Sequence, residues 1–223
     1  MTITFKALSA LLSYPTDELV AALPEIRAIL ICEATFDTRE CNALVALVDR
    51  LAATDPLDAQ EAYVELFDRG RSTSLHLFEH VHGDSRDRGP AMVDLDGIYR
   101  SAGYQLAGGE LPDYLPALLE YLATRPAEEV KEMLGDCAHI VRGIGEALVK
   151  RGSDYSAVFA ATLALAGEPG FGRGRDRTAA IDTPLDDEWV EEQVIFGPAA
   201  ACGSGCGAPP PRPASVQFIP RRA

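Results

Sequence analysis

The chain has 223 residues, 47% of them hydrophobic, enough to bury a sizeable core as one domain, or as a domain with a tail, but cramped for two. Twenty Lys and Arg against 34 Asp and Glu leave a net charge of −14, which repels phosphate backbones and anionic headgroups. Nucleic acid and membrane surfaces are therefore poor partners and a cationic or amphipathic peptide is a better one, although excess acid also serves solubility alone.

The N-terminus does not read as a signal peptide, because Ser9, Ser13 and Tyr14 interrupt its apolar run and no small-residue cleavage site closes it. No window offers the roughly 18 apolar residues of a membrane span, so a cytoplasmic protein with no direct membrane insertion is expected. The five cysteines are odd in number and sparsely placed, which predicts reduced thiols.

Helical periodicity dominates the chain. Phe5, Leu8, Leu11 and Leu12 repeat at three to four, and Thr16 is positioned to cap a second helix carrying Leu19, Val20, Leu23, Ile26, Ile29 and Leu30. A third begins near Thr38 and presents Cys41, Leu44, Val45, Leu47, Val48 and Leu51. Asp55 and Pro56 make a cap and first-turn pair for a fourth, through Tyr63, Leu66 and Phe67.

Residues 70–89 are polar and glycine-bounded around an apolar island of Leu75, Leu77 and Phe78, and read as a long loop or a short helix. Connections of this length are uncommon inside a domain unless they serve function, which makes this one a candidate working surface. A fifth helix after Pro90 runs through Met92, Val93, Leu95, Ile98 and Tyr99, with Gly108 and Gly109 ending it or the following turn. A sixth starts around Pro112 and aligns Leu115, Leu118, Leu119 and Leu122. The seventh, from Pro126, sets Val130, Met133, Leu134, Cys137, Ile140, Val141, Ile144 and Leu148 on one stripe. An eighth spans about 154–166.

Almost no segment alternates as a strand must. The expected fold is all-α: a single-domain bundle of about eight helices over residues 1–167 with a flexible C-terminal tail. The tail divides into a linker and acidic segment, 168–196, with six acids around Trp189, and a disordered Gly/Pro-rich end, 197–223.

Several constellations carry little chemistry. His76, His80 and His82 include a pair at helical spacing, but no second cluster supplies the further ligands zinc needs, so hydrogen-bonded histidines are expected. Cys202 and Cys206 form half a metal site in the tail, and a solvated thiol pair is the expected state. Residues 170–174 lack the preceding strand and the Lys-Ser/Thr ending of a phosphate loop, and the lone Gly-Ser-Gly at 203–205 is no strand-to-helix nucleophile elbow. Glu110 and Asp113 have the residue types for acid-base work, but nothing around them specifies a substrate pocket. An interaction surface remains: the loop 77–89 and the segment 110–115 combine aliphatic or aromatic anchors with fixed acids, a mixture suited to an amphipathic helical peptide with a basic flank. On the other reading Leu115, Leu118 and Tyr121 are core, and Asp113 is a charge favoured at a helix start.

The same stretches carry a family resemblance. Tyr63-Val64-Glu65-Leu66-Phe67-Asp68, Thr73-Ser74-Leu75-His76-Leu77-Phe78-Glu79-His80 and Gly83-Asp84-Ser85-Arg86-Asp87-Arg88-Gly89 resemble the signature of the nitrate reductase delta subunit family, the NarJ-type molybdenum cofactor assembly chaperones. Glu110-Leu111-Pro112-Asp113-Tyr114 resembles an element of the wider TorD-like chaperone class, and Leu12-Ser13-Tyr14-Pro15 and the run from Glu188-Trp189 to Phe196 add support. The resemblance implies an all-helical chaperone, not an enzyme and with no cofactor of its own. It would bind the immature catalytic (alpha) subunit of a respiratory nitrate reductase, including its N-terminal segment, while molybdenum cofactor is inserted, and would delay docking at the membrane. Carried over residue by residue, it points to Phe78, Glu79, Asp84, Arg86, Arg88, Gly89, Glu110, Asp113 and Tyr114 as client-binding. Arg86 and Arg88 have a second reading, in which they order the loop by pairing with Asp84 or Asp87. The alternatives are a chaperone of the same fold serving another molybdoenzyme, a metal-dependent helical enzyme built on His76, His80 and His82, and a helical scaffold with no client-specific groove.

Overall fold

The structure, a computed structural model, describes residues 2–83, 85–106 and 109–171. Asp84, the acidic run around Trp189 and the Cys202/Cys206 pair fall outside the described residues. Among those described there is no strand, as the periodicity predicts, and there are nine α-helices against the eight or so expected: α1 Thr2–Leu11, α2 Asp17–Cys32, α3 Thr38–Ala53, α4 Pro56–Tyr63, α5 Leu77–His82, α6 Arg88–Ser101, α7 Leu115–Leu122, α8 Ala127–Lys150 and α9 Ser156–Ala166.

Local chemistry sets most of the helix starts. The Thr16 hydroxyl accepts the Leu19 N–H at 3.4 Å, and Asp55 accepts from Leu57 at 2.9 Å with Pro56 in the first turn. Asp37 completes a capping box: its carboxylate takes the N–H groups of Arg39 and Glu40 at 2.8 and 2.7 Å, and Glu40 reaches back to the Asp37 N–H at 3.0 Å.

The core lies where the predicted stripes meet. Phe5, Leu8, Leu11 and Leu12 are fully buried, and α1 packs on α2, α7 and α9. The longest helix, α8, forms a hairpin with α9 and buries Val130, Leu134, Ile140, Val141, Ile144 and Leu148. After α9, Gly167 turns the chain at φ 80°, Arg142 donates to the Gly170 carbonyl at 3.2 Å, and the Phe171 ring fills the space left by the missing side chain of Gly145. No described helix is long and apolar enough to cross a membrane.

The structure departs from the sequence pattern between α4 and α7. The fourth helix ends in a π-helical turn, Val64–Asp68, closed by the Arg69 N–H on the Val64 carbonyl at 3.1 Å. Tyr63 and Phe67 both remain buried there, ring centroids 4.9 Å apart, and Phe67 meets Tyr155 of the α8–α9 connection at 5.1 Å. The segment 70–89 is a 3₁₀ turn, Arg71–Thr73, followed by α5, which accounts for the ninth helix. Helix α6 begins at Arg88, ahead of Pro90, because proline is tolerated in a first turn whose N–H groups have no intrahelical partner. Its apolar residues are not one core stripe: only Tyr99 is fully buried, while Val93 is 71% and Ile98 43% exposed. Helix α7 starts at Leu115 rather than near Pro112, because residues 111–114 are spent on a turn and a backbone clamp.

Candidate functional site

The clamp joins residues 75–77 to residues 113–115. The Leu77 N–H donates to the Asp113 carbonyl at 3.0 Å and the Leu115 N–H to the Leu75 carbonyl at 2.9 Å, an isolated antiparallel bridge centred on His76 and Tyr114. In such a pair the side chains lie close, and the His76 and Tyr114 rings are 5.4 Å apart. Leu75, Leu77 and Leu115 point into the core, so the clamp is anchored from below by apolar burial.

Asp113 is the one acidic residue among those described that is fully buried. Its carboxylate accepts the Phe78 N–H at 3.1 Å, faces Nδ1 of His76 at 3.3 Å and lies 3.6 Å from the Arg88 guanidinium. A buried carboxylate is costly unless paired and hydrogen-bonded, and here a backbone donor, an imidazole and a guanidinium share that task. The hydrogen bond to Asp113 raises the His76 pKa above the ordinary histidine value, against the opposing effect of burial.

From Asp113 the network continues outward. Arg88 meets Glu79 at 3.3 Å, and the other Glu79 oxygen accepts the Ser74 hydroxyl at 2.5 Å. His80 Nε2 lies 2.9 Å from the Ser74 carbonyl, so that nitrogen carries the proton. On the other side, Tyr63 donates to the Leu12 carbonyl at 2.8 Å, which leaves its oxygen to accept from Tyr114 at 3.3 Å. Burial is the main cause of the raised pKa of both phenols.

Next to this network an open cleft of about 400 Å³ runs between α6 and Gln105, Leu106, Glu110 and Pro112. Met92, Val93 and Leu106 give it apolar surface, and Asp96, Arg100, Gln105 and Glu110 a polar edge. Arg100 is paired with Asp96 at 2.9 Å, and Glu110 and Leu111 are exposed beside it. The Tyr99 hydroxyl ties the two walls by donating to the Pro112 carbonyl at 2.9 Å.

The structure thus brings together Phe78, Glu79, Arg88, Asp113 and Tyr114 of the residues singled out in the sequence, and puts Glu110 on the lip of the cleft. Arg88 pairs with Glu79 and Asp113, while the Asp87 carboxylate is partnered by Ser85; Asp84 lies outside the described residues. Arg86 and Gly89 are exposed, Gly89 facing open space. Ser74, Tyr63 and Tyr99 lie in the quoted signature or on the predicted helices but are not among the site residues that the sequence singles out: Ser74 stands five residues before Glu79, outside the three-residue spacing of a capping box. The imidazoles of His76 and His80 turn to different protein partners, and no group of three or more His, Cys, Asp or Glu with metal-holding geometry exists among the described residues.

Residues 33–161, which include every element of this network apart from Leu12, match the nitrate reductase delta subunit family. The chain belongs to that family. It is 44% identical over 206 residues to the nitrate reductase molybdenum cofactor assembly chaperone NarJ of Escherichia coli K12, covering 87% of this chain and 85% of the relative. It is 41% identical over 210 residues to the probable assembly chaperone NarW of the same strain, covering 89% and 87%, and 33% identical over 162 residues to the probable NarJ of Bacillus subtilis, covering 73% and 87%.

Proposed function

We propose that this protein is a cytoplasmic, client-specific assembly chaperone that binds the immature catalytic subunit of a respiratory nitrate reductase, including its N-terminal segment, during molybdenum cofactor insertion, and delays membrane docking of that subunit. It catalyses no reaction. The names its relatives bear support the client, and the observation that carries the reading is the open cleft between α6 and Gln105, Leu106, Glu110 and Pro112, beside a loop tied down by Asp113. Exposed Val93 and Leu111 offer anchors, and Glu110 with the excess acid of the chain favours a basic flank on the client. Phe78, Glu79, Arg86, Arg88, Gly89 and Tyr114 complete the proposed client-binding set, with Asp113 accepting the Phe78 N–H from inside. Release requires that the mature subunit bind less tightly than the immature one.

Calorimetric titration of the full chain with a peptide from the N-terminus of the nitrate reductase catalytic subunit, beside a scrambled control, tests the reading. Saturable binding of the native order alone is the expected result. Equal behaviour of the two peptides, together with failure to capture the whole cofactor-free subunit, would overturn it.

A further inference from the structure

We infer that Ser74 is a positioning residue for client recognition, setting Glu79 and through it Arg88 without touching the client itself. The inference rests on the reading that the α5–α6 face engages the client. Ser74 is 6% exposed and is tied to the body of the protein: its N–H reaches the Arg71 carbonyl at 3.4 Å, and its neighbour Thr73, fully buried, turns its hydroxyl back to the carbonyls of Leu66 and Gly70. From this fixed point Ser74 uses three polar functions on α5. Its hydroxyl donates to Glu79 at 2.5 Å, the same oxygen accepts the His76 N–H at 3.3 Å, and its carbonyl accepts from His80 at 2.9 Å.

The consequence falls on Glu79 and Arg88, whose side chains are 31% and 26% exposed. A glutamate on a one-and-a-half-turn helix has three side-chain torsions to restrain, and Ser74 holds one carboxylate oxygen inward so that the other is presented to Arg88 at 3.3 Å. Without that hold, Arg88 keeps Asp113, at 3.6 Å, as its acidic partner among the described residues. The charged pair at the surface is then free to sample other rotamers, and ordering it becomes a cost of binding. Neither spacing nor family resemblance marks Ser74 for this task; its partners identify it.

The test is a double-substitution cycle on the full chain, titrated with the N-terminal peptide of the nitrate reductase catalytic subunit. Ser74→Ala and Glu79→Gln are each expected to weaken binding about fivefold, the equivalent of one net hydrogen bond. The double variant should bind no more weakly than Glu79→Gln alone, because Ser74 acts through Glu79. Ser74→Thr, which keeps the hydroxyl, should restore most of the affinity. Additive losses in the double variant, or full affinity in Ser74→Ala while Glu79→Gln is impaired, overturn the positioning role and leave the client face standing. Full affinity in Glu79→Gln overturns both the positioning role and the assignment of the α5 face, and absence of peptide binding by the unsubstituted chain, together with its failure to capture the whole cofactor-free subunit, overturns the functional reading on which they rest.

Discussion

Asp113 shows how one residue's environment decides what a substitution there reports. Because its carboxylate is buried against the Phe78 N–H, His76 and Arg88, removing it leaves the Phe78 N–H without its acceptor and takes the facing charge from His76 and Arg88, a loss on the order of 1–3 kcal/mol for an unsatisfied buried group. A charge reversal at Asp113 therefore tests folding before it tests binding. His76 gives this network a pH dependence. Its folded pKa is raised by Asp113, so the folded state holds the proton more tightly than the unfolded chain. The stabilising contribution is complete below the ordinary histidine value, about 6.5, and is lost as pH rises through the higher folded value. Urea unfolding of the wild type and His76→Gln should show a larger stability difference at pH 5.5 than at pH 9; an equal difference at both would mean that the charged form of His76 adds nothing.

At the scale of elements, the region between α4 and α7 is built from short pieces held by specific contacts. Gly70 shows how closely: a Cβ there would lie 2.9 Å from both the Leu66 carbonyl and the Arg151 guanidinium, and would also run into the Thr73 hydroxyl. The π-helical turn, the 3₁₀ turn and the end of α8 converge on this one missing side chain. Gly70→Ala is expected to destabilise the protein by about 1–3 kcal/mol through overpacking, measured by chemical denaturation, even though alanine ordinarily favours ordered backbone over glycine. A neutral or stabilising result would show that the junction yields. Helix α6 is the opposite case. Its pattern of Met92, Val93, Leu95, Ile98 and Tyr99 reads as a core stripe, yet only Tyr99 is fully covered. Periodicity reports which side chains share a face, not whether another element covers that face.

At the scale of the whole molecule, an acidic chain carries a cleft of mixed polar and apolar lining, with Glu110 exposed at its edge. Glu110 is the suitable probe of this arrangement because it is exposed, and no ion pair of the fold depends on it among the described residues. Glu110→Lys should weaken the client peptide about fivefold or more, with the loss shrinking as salt is added, while circular dichroism stays unchanged. Unaltered affinity at low salt would remove Glu110 from the client surface. The bundle beneath should be indifferent, since its stability lies in the α1–α7 and α8–α9 packing.

The helical class, the capped starts at Thr16 and Asp55, the start of α3 at Thr38, and the buried stripes of α1, α3 and α8 were all determined by the sequence, because caps and apolar periodicity act within one or two turns of chain. The motif at 73–89 likewise marked the family without reference to any contact. Only the tertiary structure decided that Asp113 faces inward, that Arg88 pairs with it and with Glu79, that His76 and His80 part company, and that α6 leaves Val93 uncovered. Asp113 and His76 lie 37 residues apart, and local propensity carries no information about which polar side chain a distant loop will bury. That choice was made by the backbone clamp and by the apolar residues that anchor it.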